Sequence, residues 1–181
     1  MGMLKVFIPG PAVGKGRPKA SRHGKGIRMR TPEKTKAYEA EVAWRMKAAL
    51  PRGYVPTKGP VSVAILVVDG VGPRRLRTGA LPKPAVDRLS WKAEPKRSPD
   101  LDNIVKAILD AGNKVIWNDD GQVYGLSTLR VWGLKDGVWV MASLGVDREG
   151  ACTMLARAVH LQRQSNDLDS ASDSCLRRCL K

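Results

Sequence analysis

Apolar residues recur at every second position at the start of the chain, with Leu4, Val6 and Ile8 in register. A period of two predicts a strand over residues 4–8. Residues 10–30 break the pattern with Gly, Pro, Lys and Arg, which predicts a basic loop. Helical spacing follows in Ala37, Tyr38, Val42, Met46 and Leu50. Thr31-Pro32-Glu33 supplies a start signal for it: an N-cap hydroxyl, proline at the first helical position and an acid in the first turn. Residues 61–68 are apolar at almost every position, as in a strand covered on both faces. Residues 69–98 hold Pro73, Pro82, Pro84 and Pro95 and predict a long loop, a length more often functional than idle inside a compact domain. A second helix is expected over about residues 101–111, with Ile104, Val105, Ile108 and Leu109 as its buried stripe. Residues 115–117, 123–132 and 138–144 predict short strands, the last two joined as a hairpin through Lys135-Asp136-Gly137. The order predicts an α+β fold, a small mixed β-sheet with two main helices packed on it.

Charge adds a partner to this outline. The 181 residues carry 32 Lys and Arg against 17 Asp and Glu, a formal net charge of +15. That surplus points to a polyanion. One Phe, three Tyr and five Trp argue against a platform that stacks many bases. Residues 10–36 hold nine Lys or Arg and one acid, and residues 70–98 hold eight and two acids. Lys15, Arg17 and Lys19, beside Gly and Pro next to the first strand, and Arg74, Arg75, Lys96 and Arg97 are the candidate phosphate contacts. Residues 147–181 are nearly neutral, with six basic and five acidic residues. The working domain is therefore placed at 1–146 and residues 147–181 are read as a C-terminal extension, a helix followed by a polar tail.

Other classes fall away. The longest apolar run is strand length, so no membrane helix is expected, and the first residues lack a secretory pattern. Cys152, Cys175 and Cys179 are odd in number and crowded near one end, which suits a reduced, cytoplasmic protein. Gly10 to Gly16 has three residues between its first two glycines and no Ser or Thr after Lys15, so it is no P-loop and no nucleotide cofactor is expected. No Glu closes an EF-hand loop after either Asp pair.

The informative residues are acids. Of the twelve in residues 1–146, five fall between 100 and 120: Asp100, Asp102, Asp110, Asp119 and Asp120. Clustered carboxylates repel one another and need a counter-charge. A hard divalent cation supplies one with oxygen ligands. Asp102, Asn103, Lys106 and Asp110 share one face of the second helix by their spacing, and Asp100 precedes it where it can cap. Ion pairs, caps and turns explain each acid singly; the concentration within 21 residues of a basic protein favours metal-dependent phosphodiester chemistry. A basic nucleic-acid-binding module without catalysis is the alternative.

Gly14-Lys15-Gly16-Arg17-Pro18, Thr31-Pro32 with Thr35 and Tyr38-Glu39, Pro99-Asp100-Leu101-Asp102-Asn103 with Lys106, Leu109-Asp110-Ala111, and Asn118-Asp119-Asp120 with Gln122-Val123 form an ordered set. The set resembles the RusA family of Holliday-junction resolvases, small endonucleases often carried by phages and prophages. The resemblance implies a two-fold homodimer that makes paired nicks in four-way DNA junctions, using Mg²⁺ or Mn²⁺. It assigns metal-site carboxylates to Asp100, Asp102 and Asp120 and the catalytic lysine to Lys106, with Asn103, Asp119 and Gln122 in support. Flaps and forks are the alternative branched substrates. Gly112 departs from the family pattern, which commonly has Leu there, and residues 70–97 exceed the usual connection.

Overall fold

The computed structural model describes residues 3–23, 26–71 and 98–145, together with 156, 159 and 160. Strand β1 (Met3–Pro9) buries Leu4, Val6 and Ile8 and exposes the residues between them, as its period of two requires. Helix α1 (Glu33–Ala48) buries Thr35, Tyr38, Val42 and Met46. Ala37 is exposed, and Thr35 takes the expected place in the first turn. Pro32 stands at the N-cap without a side-chain cap bond, one residue later than the start signal suggested. Strand β4 (Val61–Gly70) is buried at nine consecutive positions. Helix α2 (Leu101–Gly112) buries Ile104, Val105, Ala107, Ile108 and Ala111. Leu109 lies partly buried at the margin of the same core.

The main sheet has the order β1-β6-β4-β5, with β5 at Val123–Gly133 and β6 at Gly137–Leu144. Strand β4 pairs parallel with β5 and antiparallel with β6. The expected β5–β6 hairpin is therefore incorrect, because β4 lies between the two strands. A strand apolar on both faces gains most from a central position, and the link after β5 crosses the end of β4 instead of turning tightly. That crossing is fastened: Gly70 donates its N–H to the Asp136 carboxylate at 2.8 Å. A Cβ on Gly70 would lie 2.9 Å from the Asp136 nitrogen, so the close approach requires glycine.

Alternate residues of β4 serve two layers. Val61, Val63, Ile65 and Val67 join Val138, Val140 and Ala142 under the two helices. Ala64, Leu66 and Val68 face the other way, with Val131, Met141 and, packed against them, Val159. Val159 lies beyond the expected boundary at 146, so the extension supplies at least one side chain to this second layer.

Two further expectations need correction. Residues 10–30 are not loop throughout, since β2 (Lys19–His23) and β3 (Gly26–Arg30) pair as an antiparallel two-stranded sheet. Residues 115–117 form no strand. They turn back beneath α2, and Ile116 and Trp117 are fully buried. Trp117 donates its indole N–H to Asn113 at 3.0 Å. Its ring covers Gly112 so closely that a Cβ there would run into the ring carbons. Glycine at 112 thus makes room for the tryptophan that closes the end of the helix.

Candidate active site

Helix α2 divides its residues sharply. Its apolar stripe faces the core, which leaves Asp102, Asn103, Lys106 and Asp110 on the outer side. Asp100 is the N-cap residue but makes no capping bond, and the residue stays exposed. Asp102 meets Lys106 at 3.2 Å with both side chains more than 60% exposed. An open i,i+4 pair of this kind contributes only tenths of a kcal/mol.

The segment carrying Asp120 is held by its neighbours. The Asp119 carboxylate accepts from the Gly121 N–H at 2.9 Å, and the Gln122 side-chain oxygen accepts from the Asp119 N–H at 2.8 Å. This reciprocal capping box shapes the short 3₁₀ turn Asp120–Gln122. The Gln122 amide donates to the carbonyls of Thr57 and Gly59 at 2.9 and 2.8 Å. Thr57 in turn donates its N–H to the Ile116 carbonyl at 3.0 Å. Asp119 and Gln122 thus fix the turn on which Asp120 stands exposed, next to α2.

Asp110 is different. It lies 2.5 Å from the Lys15 ammonium, which also donates to Glu39 of α1 at 2.7 Å. Partial burial works against the Lys15 charge, but the bonds to Asp110 and Glu39 outweigh it and hold its pKa above the ordinary lysine value. The loop is fitted closely on both sides. Lys15 donates its backbone N–H to the Asn103 carbonyl at 2.7 Å, and Gly16 donates to the Thr35 hydroxyl at 3.1 Å. A Cβ on Gly14 would lie 2.6 Å from Pro99 Cβ, and one on Gly16 would lie 2.8 Å from Pro32 Cγ.

Asp69 and Arg130 have no counterpart in the sequence reading. They form a bidentate pair at 2.6 and 3.1 Å, each side chain 8% exposed. Arg130 also donates to the carbonyl of Pro99 at 2.7 Å, the residue before Asp100. A carboxylate at the end of an apolar strand is the one signal that could have drawn attention to Asp69. Sixty-one residues separate it from Arg130, so the partner was not legible.

The expected basic residues fare unequally. Arg17 is exposed, and Lys19 begins β2. Arg74, Arg75, Lys96 and Arg97 lie outside the described residues, as do Cys152, Cys175 and Cys179. Arg30 and Lys36 line a groove between β3 and the start of α1.

Among the described residues no three His, Cys, Asp or Glu side chains are gathered closely enough to hold a metal ion. The donor chemistry nevertheless fits a hard cation. Mg²⁺ keeps several waters and takes one or two protein carboxylates alongside substrate phosphate oxygens, and Asp100 and Asp102 offer two at the start of one helix. No helix among the described residues is long and apolar enough to cross a membrane.

Comparison with known proteins matches the family described as endodeoxyribonuclease RusA over residues 9–142. The chain is also similar to the uncharacterized protein YqaN of Bacillus subtilis (strain 168). The two are 32% identical over 142 residues, which span 78% of this chain and 96% of that protein.

Proposed function

The chain belongs to the RusA endodeoxyribonuclease family, and from that membership we propose that it resolves four-way DNA junctions by paired symmetrical nicks, in recombination and repair. One observation carries the reading. Of the five acids between 100 and 120, Asp110 is committed to Lys15 and Asp119 to a cap. Asp100, Asp102 and Asp120 remain exposed at the start of α2 and on the adjoining turn. These are the three carboxylates that the resemblance singles out.

Asp100, Asp102 and Asp120 are the residues that would hold a divalent cation, Mg²⁺ or Mn²⁺, together with water and substrate phosphate oxygens. When bound, such an ion supplies Lewis-acid polarisation of phosphate and water. Lys106, one helical turn from Asp102, places an ammonium against the attacked phosphate and offsets charge that builds on its oxygens. Asn103, Asp119 and Gln122 hold these groups in place. Arg17, Lys19, Arg74, Arg75, Lys96 and Arg97 contact flanking phosphates, so binding weakens steeply with salt. A two-fold homodimer presents two equivalent sites to the two opposed strands of a junction. The protein acts in the cytoplasm and needs no nucleotide.

Metal removal tests the chemistry. Junction cleavage is expected to stop when the protein is freed of divalent ions with a chelator, and to return with added Mg²⁺ or Mn²⁺. Junction binding in gel-shift assays is expected to persist without metal. Cleavage that survives chelation would overturn the proposed mechanism; binding without cleavage under every metal condition would favour a non-catalytic DNA-binding protein.

A further inference from the structure

Lys106 has two carboxylates within reach on its own helix, Asp102 four residues before it and Asp110 four residues after. Helical geometry makes both i,i+4 partners possible. The structure shows the pair with Asp102 at 3.2 Å, while Asp110 is taken by Lys15 at 2.5 Å. Lys15 comes from a loop with little freedom to move away. Its backbone is bonded to Asn103, its ammonium also bonds Glu39, and Gly14 and Gly16 lie too close to Pro99 and Pro32 for any side chain. The residue runs along the outer face of α2 from Asn103 to Asp110, about 10 Å at roughly 1.5 Å per residue.

We infer that Lys15 is a positioning residue: by occupying Asp110 it leaves Lys106 to the Asp102 end of the helix, where the scissile phosphate is bound. Lys15 was expected to contact DNA phosphate, but its ammonium is already shared between two protein carboxylates. With Lys15 replaced by a neutral side chain, Asp110 competes for Lys106 and draws it one turn away from Asp102. This inference rests on the nuclease reading for its effect on rate, though not for its effect on binding.

The test compares wild type, Lys15→Met, Lys15→Arg and two double variants under single-turnover conditions. Lys15→Met is expected to lower the cleavage rate about 10-fold or more, with junction affinity within about twofold, in line with the large rate penalty for small misplacements of a catalytic group. Lys15→Arg is expected to keep at least half the rate. Adding Asp110→Asn to Lys15→Met removes the competing carboxylate and is expected to restore the rate. Adding Glu39→Gln relieves the same excess charge but leaves Asp110 in place, and is expected to leave the rate low. Equal rescue by both, or rescue by neither, overturns the inference. Thermal melts of each variant identify any that is unfolded. The salt dependence of junction binding gives a readout independent of cleavage. Its slope is expected to be unchanged in Lys15→Met, whereas a decrease of about one marks a lost phosphate contact and overturns the inference even if no variant cuts DNA. Wild type that binds junctions but never cleaves them counts against the nuclease reading alone.

Discussion

Asp120→Asn is expected to reduce junction cleavage by about 10³-fold, equivalent to about 4 kcal/mol of transition-state stabilisation, while junction binding stays equal or becomes tighter. Asn keeps the size of the side chain and one of its oxygens but removes the charge that the proposed cation site requires. The turn around it depends on Asp119, Gly121 and Gln122 rather than on the Asp120 side chain, so the melting temperature should hardly move. An exposed substitution away from caps and core contacts usually changes stability by less than about 0.5 kcal/mol. Losing a negative charge near DNA lowers repulsion, hence the tighter binding. Glu41→Gln makes the same change in net charge on α1, where Glu41 pairs with Arg45 at the surface, and should cleave at the wild-type rate. Loss of cleavage in both variants would point to net charge rather than to a site.

Arg130→Met is expected to be the most damaging single substitution for stability, by about 3–5 kcal/mol. It strands the Asp69 carboxylate in the interior and removes the donor to the Pro99 carbonyl. For a protein of this size that is a fall of roughly 10 °C in Tm. Replacing both members, as in Asp69→Leu with Arg130→Met, should recover much of the loss, because an apolar pair avoids the desolvation of two charges. Cleavage should stay low in the double variant, since Pro99 is no longer tied to the sheet and Asp100 follows it directly. Thermal melts and cleavage rates on the same preparations separate the two effects. Full recovery of both would show that the pair serves stability alone.

What the sequence made legible follows from how its residues are buried. Strand β4 and helix α2 declared themselves because one is apolar on both faces and the other is cleanly split between core and solvent. The paired strands β2 and β3 did not, since KASRH shows no apolar alternation, GIRMR offers only Ile27 and Met29 alternating with its arginines, and such short segments amid Gly, Lys and Arg read as loop. Val115, Ile116 and Trp117 looked like a strand because an apolar triplet reads the same whether it pairs or plugs the end of a helix. Lys135-Asp136-Gly137 reads as a hairpin turn from local chemistry, and only the central place of β4 excludes it. At the candidate site, the acidic concentration was visible in the sequence, but its sorting was not. Lys15 and Asp110 are far apart in the chain, as are Asp69 and Arg130, so which acids are neutralised internally becomes clear only from the fold.

Junction-selective, metal-dependent cleavage can be read from a single substrate panel. A four-way junction, a flap and a linear duplex of shared sequence are incubated with the protein and Mg²⁺, and the products are resolved at nucleotide resolution. Nicks at symmetrical positions on two opposed strands of the junction, with the linear duplex left intact, are the predicted result. Equal cutting of all three substrates, or cutting of the flap alone, would contradict it.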